Sequence, residues 1–171
     1  LGDKREVEEL KLERLLEVET QLTPVLTAMG RRGIRVDAEK LTDIGEDLLL
    51  EATIEKKGIH RLAGSVFNID SPDQLAKVLY EDLGLRPAKR TKIKRAPSTD
   101  KEALVKLQGK HEIIERILRY RTAKKLHSTY VVGLSEAMDE RERVHTTFRQ
   151  TTARTGRLSS ADPNLQNIPF R

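Results

Sequence analysis

Residues 98–130 read STDKEALVKLQGKHEIIERILRYRTAKKLHSTY. Thr99 and Glu102 stand at capping-box spacing ahead of an apolar pattern. Leu104, Leu107, Ile114 and Leu118 recur at helical spacing, with Leu126 further on. The pattern predicts one helix from about Asp100 to Tyr130, roughly 45 Å long at 1.5 Å per residue. Arg121 and Lys125 lie four apart, so both stand on one face of it.

Immediately before this helix comes LRPAKRTKIKRAPSTD, residues 85–100, with two prolines and little periodicity. Arg86, Lys89, Arg90, Lys92, Lys94 and Arg95 are basic, and no acid appears until Asp100. Like charges at this density repel, so the segment is expected to be mobile when free. Upstream, Ser71-Pro72-Asp73-Gln74 forms a capping box with proline in the first helical position. Its short helix carries Leu75, Val78, Leu79 and Leu83, and Gly84 closes it. Two helical segments around a basic tip predict a projecting arm.

Further outward, Leu41, Ile44, Leu48, Ala52, Ile59 and Leu62 mark a helix that opens after Asp37 and runs to about Ala63. Before it, Leu15, Val18, Leu22, Val25 and Met29 stripe another helix, which Pro24 is expected to kink and Gly30 and Gly33 to end. RVD, residues 35–37, reads as a short extended link. On the other side, DERER (139–143) reads as a charged turn and VHTTFRQTT (144–152) as a strand rich in β-branched residues. TGRLSSADPNLQNIPFR, 155–171, reads as loop. The fold class expected is mainly α: long antiparallel helices, a small β element near 144–152 and a C-terminal loop.

The 171 residues are 37% hydrophobic, 35% charged and 4% aromatic, which allows only a thin core. There is no apolar run of about 18 residues to cross a membrane and no apolar leader in LGDKREVEEL. With no cysteine, disulfides and thiolate metal sites are excluded, and a cytosolic protein is the default. The net charge of +5 is unevenly spread. Residues 1–60 hold 10 basic and 14 acidic groups; residues 61–171 hold 22 basic and 13 acidic. The basic part suits a polyanion, although uneven charge on a solvated surface explains the composition equally well.

Catalytic constellations are absent from the pattern. His60, His111, His127 and His145 are scattered and fit no metal-ligand spacing, so each reads as structural. No glycine-rich phosphate loop follows a strand, and no Ser/His/Asp arrangement is visible. Binding chemistry is better represented. Lys92, Lys94 and Arg95 in the tip could neutralise phosphates without reading sequence. Ser98 and Thr99, at a predicted helix N-terminus, could add a phosphate contact or merely cap the helix. Arg121 and Lys125 could clamp another phosphate or be an ordinary solvated pair. In the last stretch, Arg157, Asn164, Gln166 and Asn167 are hydrogen-bonding side chains unsuited to a core. The minor groove offers acceptors on every base pair, so an arginine or amide there senses pair geometry rather than sequence.

TGRLSSADPNLQNIP resembles closely the segment that leads into the palm of family A DNA polymerases, the bacterial DNA polymerase I group. LTPVLTAMGRRGIRVD is similar to the start of that family's polymerase region, FNIDSPDQLAKVL to the base of its thumb, YRTAKKLHSTY to the long thumb helix and HTTFRQT to the strand after it. The likeness covers about residues 12–171. It implies a division into an N-terminal helix (1–36), a helical thumb with its tip at 85–100 (37–143) and a strand and loop entering the palm (144–171). It implies that Arg157 contacts the minor groove at the primer terminus, that Asn164, Gln166 and Asn167 meet template and primer, and that Arg121, Lys125 and the tip hold the duplex during replication and repair synthesis. The family often has Thr-Ala-Thr before Gly-Arg; here Ala153-Arg154-Thr155 removes one hydroxyl and adds a charge.

The resemblance further implies that the palm aspartates that bind Mg²⁺, and the fingers, belong beyond Arg171. The chain is then expected to end where a longer protein was cut or is naturally split. It is expected to need no cofactor itself and to be inactive alone, with primer–template DNA and the palm and fingers as partners. An autonomous DNA-binding module and a subunit docking to a separate palm–fingers chain stay open as alternatives.

Overall fold

A computed structural model describes residues 12–90 and 96–168. The fold is mainly α. In chain order the elements are α1 (Glu13–Arg32), β1 (Ile34–Arg35), α2 (Ala38–Ala63), α3 (Pro72–Ala76), α4 (Lys101–Val105), α5 (Glu112–Leu126), α6 (Gly133–Glu136), β2 (Arg143–Val144), β3 (Thr147–Arg149) and β4 (Ser159–Ala161). Wider π-helical turns continue α3 over Lys77–Asp82 and α5 over His127–Val132. The chain divides into two compact units: Thr42–Val131, and the remainder, Leu1–Leu41 with Val132–Arg171.

The unit of residues 42–131 is built on aliphatic side chains. Ile59, Leu75, Leu79, Leu104, Ile113, Ile114 and Ile117 are fully buried. The inward face of α2 carries Leu41, Gly45, Leu48, Ala52, Glu55 and Ile59, a stepping of four and three residues. Ile44, expected in that stripe, is 49% exposed. The turn that holds it instead buries Gly45, where an added Cβ would lie 2.9 Å from Val131 Cγ1. Ser71 caps α3 as expected, its Oγ accepting from the Gln74 amide at 3.4 Å with Pro72 in the first turn. Gln74 does not close the box on Ser71; its Oε1 takes the Asn68 amide at 2.8 Å.

The single helix expected over 100–130 is two helices. Gly109, at φ 76°, turns the chain between α4 and α5. The Glu115 carboxylate accepts the Gly109 amide at 2.7 Å, and His111 Nδ1 accepts the Ile113 amide, capping α5. The α4 cap is also displaced by one residue from its expected place. Asp100, not Thr99, accepts the Ala103 amide, at 2.7 Å, while Glu102 turns to Lys89 and Lys106. The Ala103 amide first, and Lys89 next, hold the Asp100 carboxyl down to about 2. Around the basic segment, Arg90 and Pro97 form an antiparallel bridge, and the Ser98 amide donates to the Lys89 carbonyl. Both ends of the segment expected to be mobile are therefore paired.

In the other unit β1 pairs antiparallel with β2, Ile34 opposite Val144, and β3 with β4, Phe148 opposite Ser160. The strand expected over 144–152 is thus two short pieces. The closing stretch is not all loop, since Ser159–Ala161 pairs despite weak β propensity. Helix α1 continues through Pro24 to Arg32, and Gly33 turns out of it at φ 65°, ψ 175°. Its expected apolar stripe faces outward: Leu15, Val18, Val25 and Met29 are about half exposed, and Leu26 is buried instead. Among the described residues no helix is long and apolar enough to cross a membrane.

Candidate nucleic-acid interface

In the unit of residues 42–131 the singled-out side chains gather where the end of the basic segment meets α5. Ser98 and Thr99 are buried, and their backbone carbonyls serve as anchor points. The Tyr80 hydroxyl donates to the Ser98 carbonyl at 2.5 Å, and Arg121 Nη1 to the Thr99 carbonyl at 2.5 Å. Ser98 Oγ accepts the Asp100 amide at 3.2 Å. A cavity of about 430 Å³ opens here, lined among others by Asp73, Ser98, Thr99, Asp100 and Arg121. Burial lowers the Arg121 pKa, opposed by Asp70 and then Asp100. One turn on, Lys125 is exposed, and its ammonium has no hydrogen-bond or ion-pair partner among the described residues. The pair expected to share a face therefore divides: Arg121 braces the segment ahead of α4, and Lys125 is open. Lys92, Lys94 and Arg95 lie outside the described residues.

Two further polar clusters hold α5 in place. Glu55, on the buried face of α2, accepts from Arg119 Nε at 2.7 Å and Arg116 Nη1 at 3.1 Å. Burial raises its pKa, but the bonds and charges of Arg119 and then Arg116 outweigh that and hold it below the usual carboxylate value. Asp70 accepts from the Tyr120 hydroxyl at 3.1 Å and Lys124 Nζ at 2.5 Å. Sequence reading passes over both acids; Glu55 has a signal, an acid falling inside an apolar stripe.

In the other unit the last described stretch is organised by its own polar side chains. Asn164 Oδ1 accepts the Gln166 amide at 2.9 Å, and Gln166 Nε2 donates to the Leu158 carbonyl at 2.9 Å. The buried Ser160 hydroxyl accepts the Leu165 amide at 3.0 Å. Thr146, also buried, donates to the carbonyls of Pro163 at 2.7 Å and Ala161 at 3.1 Å. Gln150 ties this layer to α1, its Nε2 donating to the Glu19 carbonyl at 3.0 Å and to the Glu19 carboxylate. Asn164, Gln166 and Asn167 are exposed on the resulting turn. Arg157, one residue past Gly156 at φ 72°, is exposed and has no hydrogen-bond or ion-pair partner among the described residues. Ser160, Thr146 and Gln150 do not stand out in the sequence, because their partners lie 4 to 131 residues away.

Among the described residues no three His, Cys, Asp or Glu side chains converge on a metal seat. Three of the histidines, His60, His111 and His145, are held by hydrogen bonds within the protein. His145, for example, reaches the Gly30 carbonyl through Nδ1 at 2.9 Å and Asp139 through Nε2 at 3.0 Å.

The model of DNA polymerase family A matches residues 38–171. A DNA polymerase I from Synechocystis is 46% identical over 164 residues, 95% of this chain and 16% of that protein. The Bacillus subtilis DNA polymerase I is 44% identical over 162 residues, 94% of this chain and 18% of that protein. The thermostable DNA polymerase I of Thermus filiformis is 47% identical over 156 residues, 91% of this chain and 19% of that protein. The chain thus spans less than a fifth of the length of these relatives. Among solved structures, the polymerase domain of Pol1 from M. smegmatis, in complex with DNA primer–template and dNTP, matches with a TM-score of 0.78. It is 36% identical, and the match covers 90% of this chain and 27% of that one.

Proposed function

The chain belongs to DNA polymerase family A, and we propose that it is the thumb-containing part of a DNA-directed DNA polymerase. In this reading it grips primer–template duplex without regard to sequence. The observation that carries the reading is its likeness, over nearly its whole length, to a polymerase domain bound to primer–template. The charge distribution supports it, as do two exposed cations with no protein partner among the described residues, Arg157 and Lys125. Arg157 senses the minor groove, where its guanidinium meets acceptors common to all correct pairs. Asn164, Gln166 and Asn167 present amide groups to template and primer from a turn that the Asn164 and Gln166 side chains fix. Lys125, with Lys92, Lys94 and Arg95, neutralises backbone phosphates. Magnesium-dependent nucleotidyl transfer belongs to the palm of the whole protein, and this chain by itself is not expected to extend a primer.

The test is reconstitution. The chain is mixed with a palm–fingers chain of the family, and primer extension is followed with parent and Arg157→Ala. The expected result is restored extension with the parent and at least a roughly tenfold slower rate with the variant, from removal of a well-placed charged group, at unchanged thermal stability. Equal rates would remove the role of Arg157. No extension from any mixture, with duplex binding intact, would favour an autonomous binding module.

A further inference from the structure

The end of α1 and the turn into β2 form a second basic surface, which shares no residue with the DNA-binding groups proposed above. A cavity of about 550 Å³ there is lined by Arg31, Arg32, Arg35, Arg141, Arg143 and His145, together with Asp139. The C-terminal end of a helix ordinarily repels anions, because its last carbonyls carry the negative end of the dipole. Here two of those carbonyls, of Gly30 and Arg32, are already covered by basic side chains. Arg143 donates through Nε to the Arg32 carbonyl at 2.6 Å and through Nη2 to the Gly33 carbonyl at 3.1 Å. His145 covers the Gly30 carbonyl.

Two nearby carboxylates, Asp139 and Glu142, are committed as well, while Glu140 is exposed beside Arg141 with no side-chain partner among the described residues. Asp139 Oδ1 accepts the Arg141 and Arg143 amides at 2.9 and 2.8 Å, and its Oδ2 faces His145. Glu142 pairs with Arg35 at 3.1 Å. Arg31, Arg32 and Arg141 are left exposed, with no hydrogen-bond or ion-pair partner for their side chains among the described residues. Basic residues in a helix's last turn often do no more than offset the dipole. That explanation is weak here, since Arg143 and His145 already cover two of the carbonyls and Arg141 lies outside the helix.

We propose that this surface binds the phosphodiester backbone of a nucleic-acid strand, independently of its sequence. Three open guanidinium forks suit phosphates strung along a strand, each met bidentately while solvated. A single small anion would call for buried donors converging on one point, whereas these three are exposed and come from α1 and the turn before β2.

The test is fluorescence anisotropy of the 171-residue chain with labelled duplexes of unrelated sequence, over a salt series. Three variants are compared with the parent: Arg31→Gln/Arg32→Gln/Arg141→Gln, its all-lysine counterpart, and Lys125→Gln/Arg157→Gln. Circular dichroism checks folding, which exposed and unpartnered positions should leave intact. The expected result is a salt slope reduced by about 2 to 3 in the triple glutamine variant, at up to about 0.9 for each phosphate no longer neutralised. The lysine variant should keep most of the slope. An unchanged slope in the triple variant would overturn the proposal, and a reduced slope in Lys125→Gln/Arg157→Gln at the same time would leave the function proposed above standing. No binding by the parent even at low salt would also overturn it, while primer extension still tests that function separately. Inorganic tripolyphosphate is the second probe. Release of DNA beyond what its ionic strength explains would assign the surface to a compact polyphosphate and overturn the strand assignment.

Discussion

The two compact units of this chain hold together by different means. Among the described residues, the unit of 42–131 buries sixteen apolar side chains, including Ile59, Leu75, Leu104, Ile113, Ile114 and Ile117. In the other unit the buried apolar residues among those described are Leu26, Leu41, Leu134 and Val144. There the order comes from side chains bonded to distant backbone: Gln150 to Glu19, Arg143 to Arg32 and Gly33, His145 to Gly30, Thr146 to Ala161 and Pro163. An aliphatic core tolerates a changed surface. A hydrogen-bonded scaffold ties its geometry to particular polar residues, and it is the unit that carries Arg157 and the amide turn.

The largest effect expected from this contrast is in the first unit. Ile117 is fully buried on α5. Ile117→Ala removes buried methyl groups and leaves a cavity, so it should cost about 2–5 kcal/mol. Urea unfolding measures it, and a destabilisation below about 1 kcal/mol would break the distinction between the units. Glu55 tests whether the buried ion cluster adds to that core. Glu55→Ala leaves Arg116 and Arg119 without their shared carboxylate and should cost about 1–3 kcal/mol, reduced from a fully buried pair because Arg119 is half exposed. The sign with pH follows from the lowered pKa of Glu55. Its contribution is present above the carboxylate's unfolded value and is lost as pH falls through the folded value. The parent should lose stability on acidification more steeply than Glu55→Ala.

The same division separates what is legible in the sequence from what is not. The aliphatic unit announces itself through periodicity, so Leu48, Ala52, Ile59, Leu75, Val78, Leu79, Leu104 and Ile114 are legible as inward residues. The serine cap at Ser71 is legible because its partner is three residues away. The break at Gly109 escapes the pattern because the apolar spacing survives on both sides of it; the glycine just ahead of His111 is the available signal. The outward stripe of α1 misleads for the complementary reason. Periodicity identifies a face and does not say what covers it. In the hydrogen-bonded unit β4 has no propensity of its own and exists because β3 pairs with it. Its fasteners, Thr146, Gln150 and Ser160, look like ordinary surface residues until the chain is folded. The segment around Arg157 is recognisable by family resemblance, which propensity alone does not supply.

Gly33 sharpens the comparison from the second unit. Its φ of 65° with ψ of 175° is a region open essentially to glycine. An added Cβ would also stand 2.8 Å from His145 Cε1 and 3.0 Å from the Val144 carbonyl oxygen. Gly33→Ala should cost about 1–3 kcal/mol from backbone strain. The weakening should appear as faster hydrogen exchange at Val36, whose amide bonds across this junction to the Glu142 carbonyl. Unchanged exchange there would mean that the junction does not depend on the turn.

The smallest effect belongs to His145, where the scaffold should feel pH. The Asp139 hydrogen bond first, and the Gly30 carbonyl second, raise the imidazole's pKa above its ordinary value. With both ring nitrogens facing oxygen acceptors, the protonated ring satisfies the site and the neutral ring loses one donor. A raised folded pKa means that the stabilisation is complete below the ordinary histidine value of about 6.5. It fades as pH rises through the folded value. Asp139 works in the opposite direction. Its pKa is lowered, by the His145 bond first and the Arg143 amide next, so its share is lost on acidification. The pair is therefore at full strength between the carboxylate and imidazole titrations. NMR titration of the His145 ring should give a midpoint above that of an unfolded control, and Asp139→Asn should bring it back down. If the midpoint does not move in Asp139→Asn, the ring is held by the Gly30 carbonyl alone, and the polar fastening of this unit is weaker than its geometry implies.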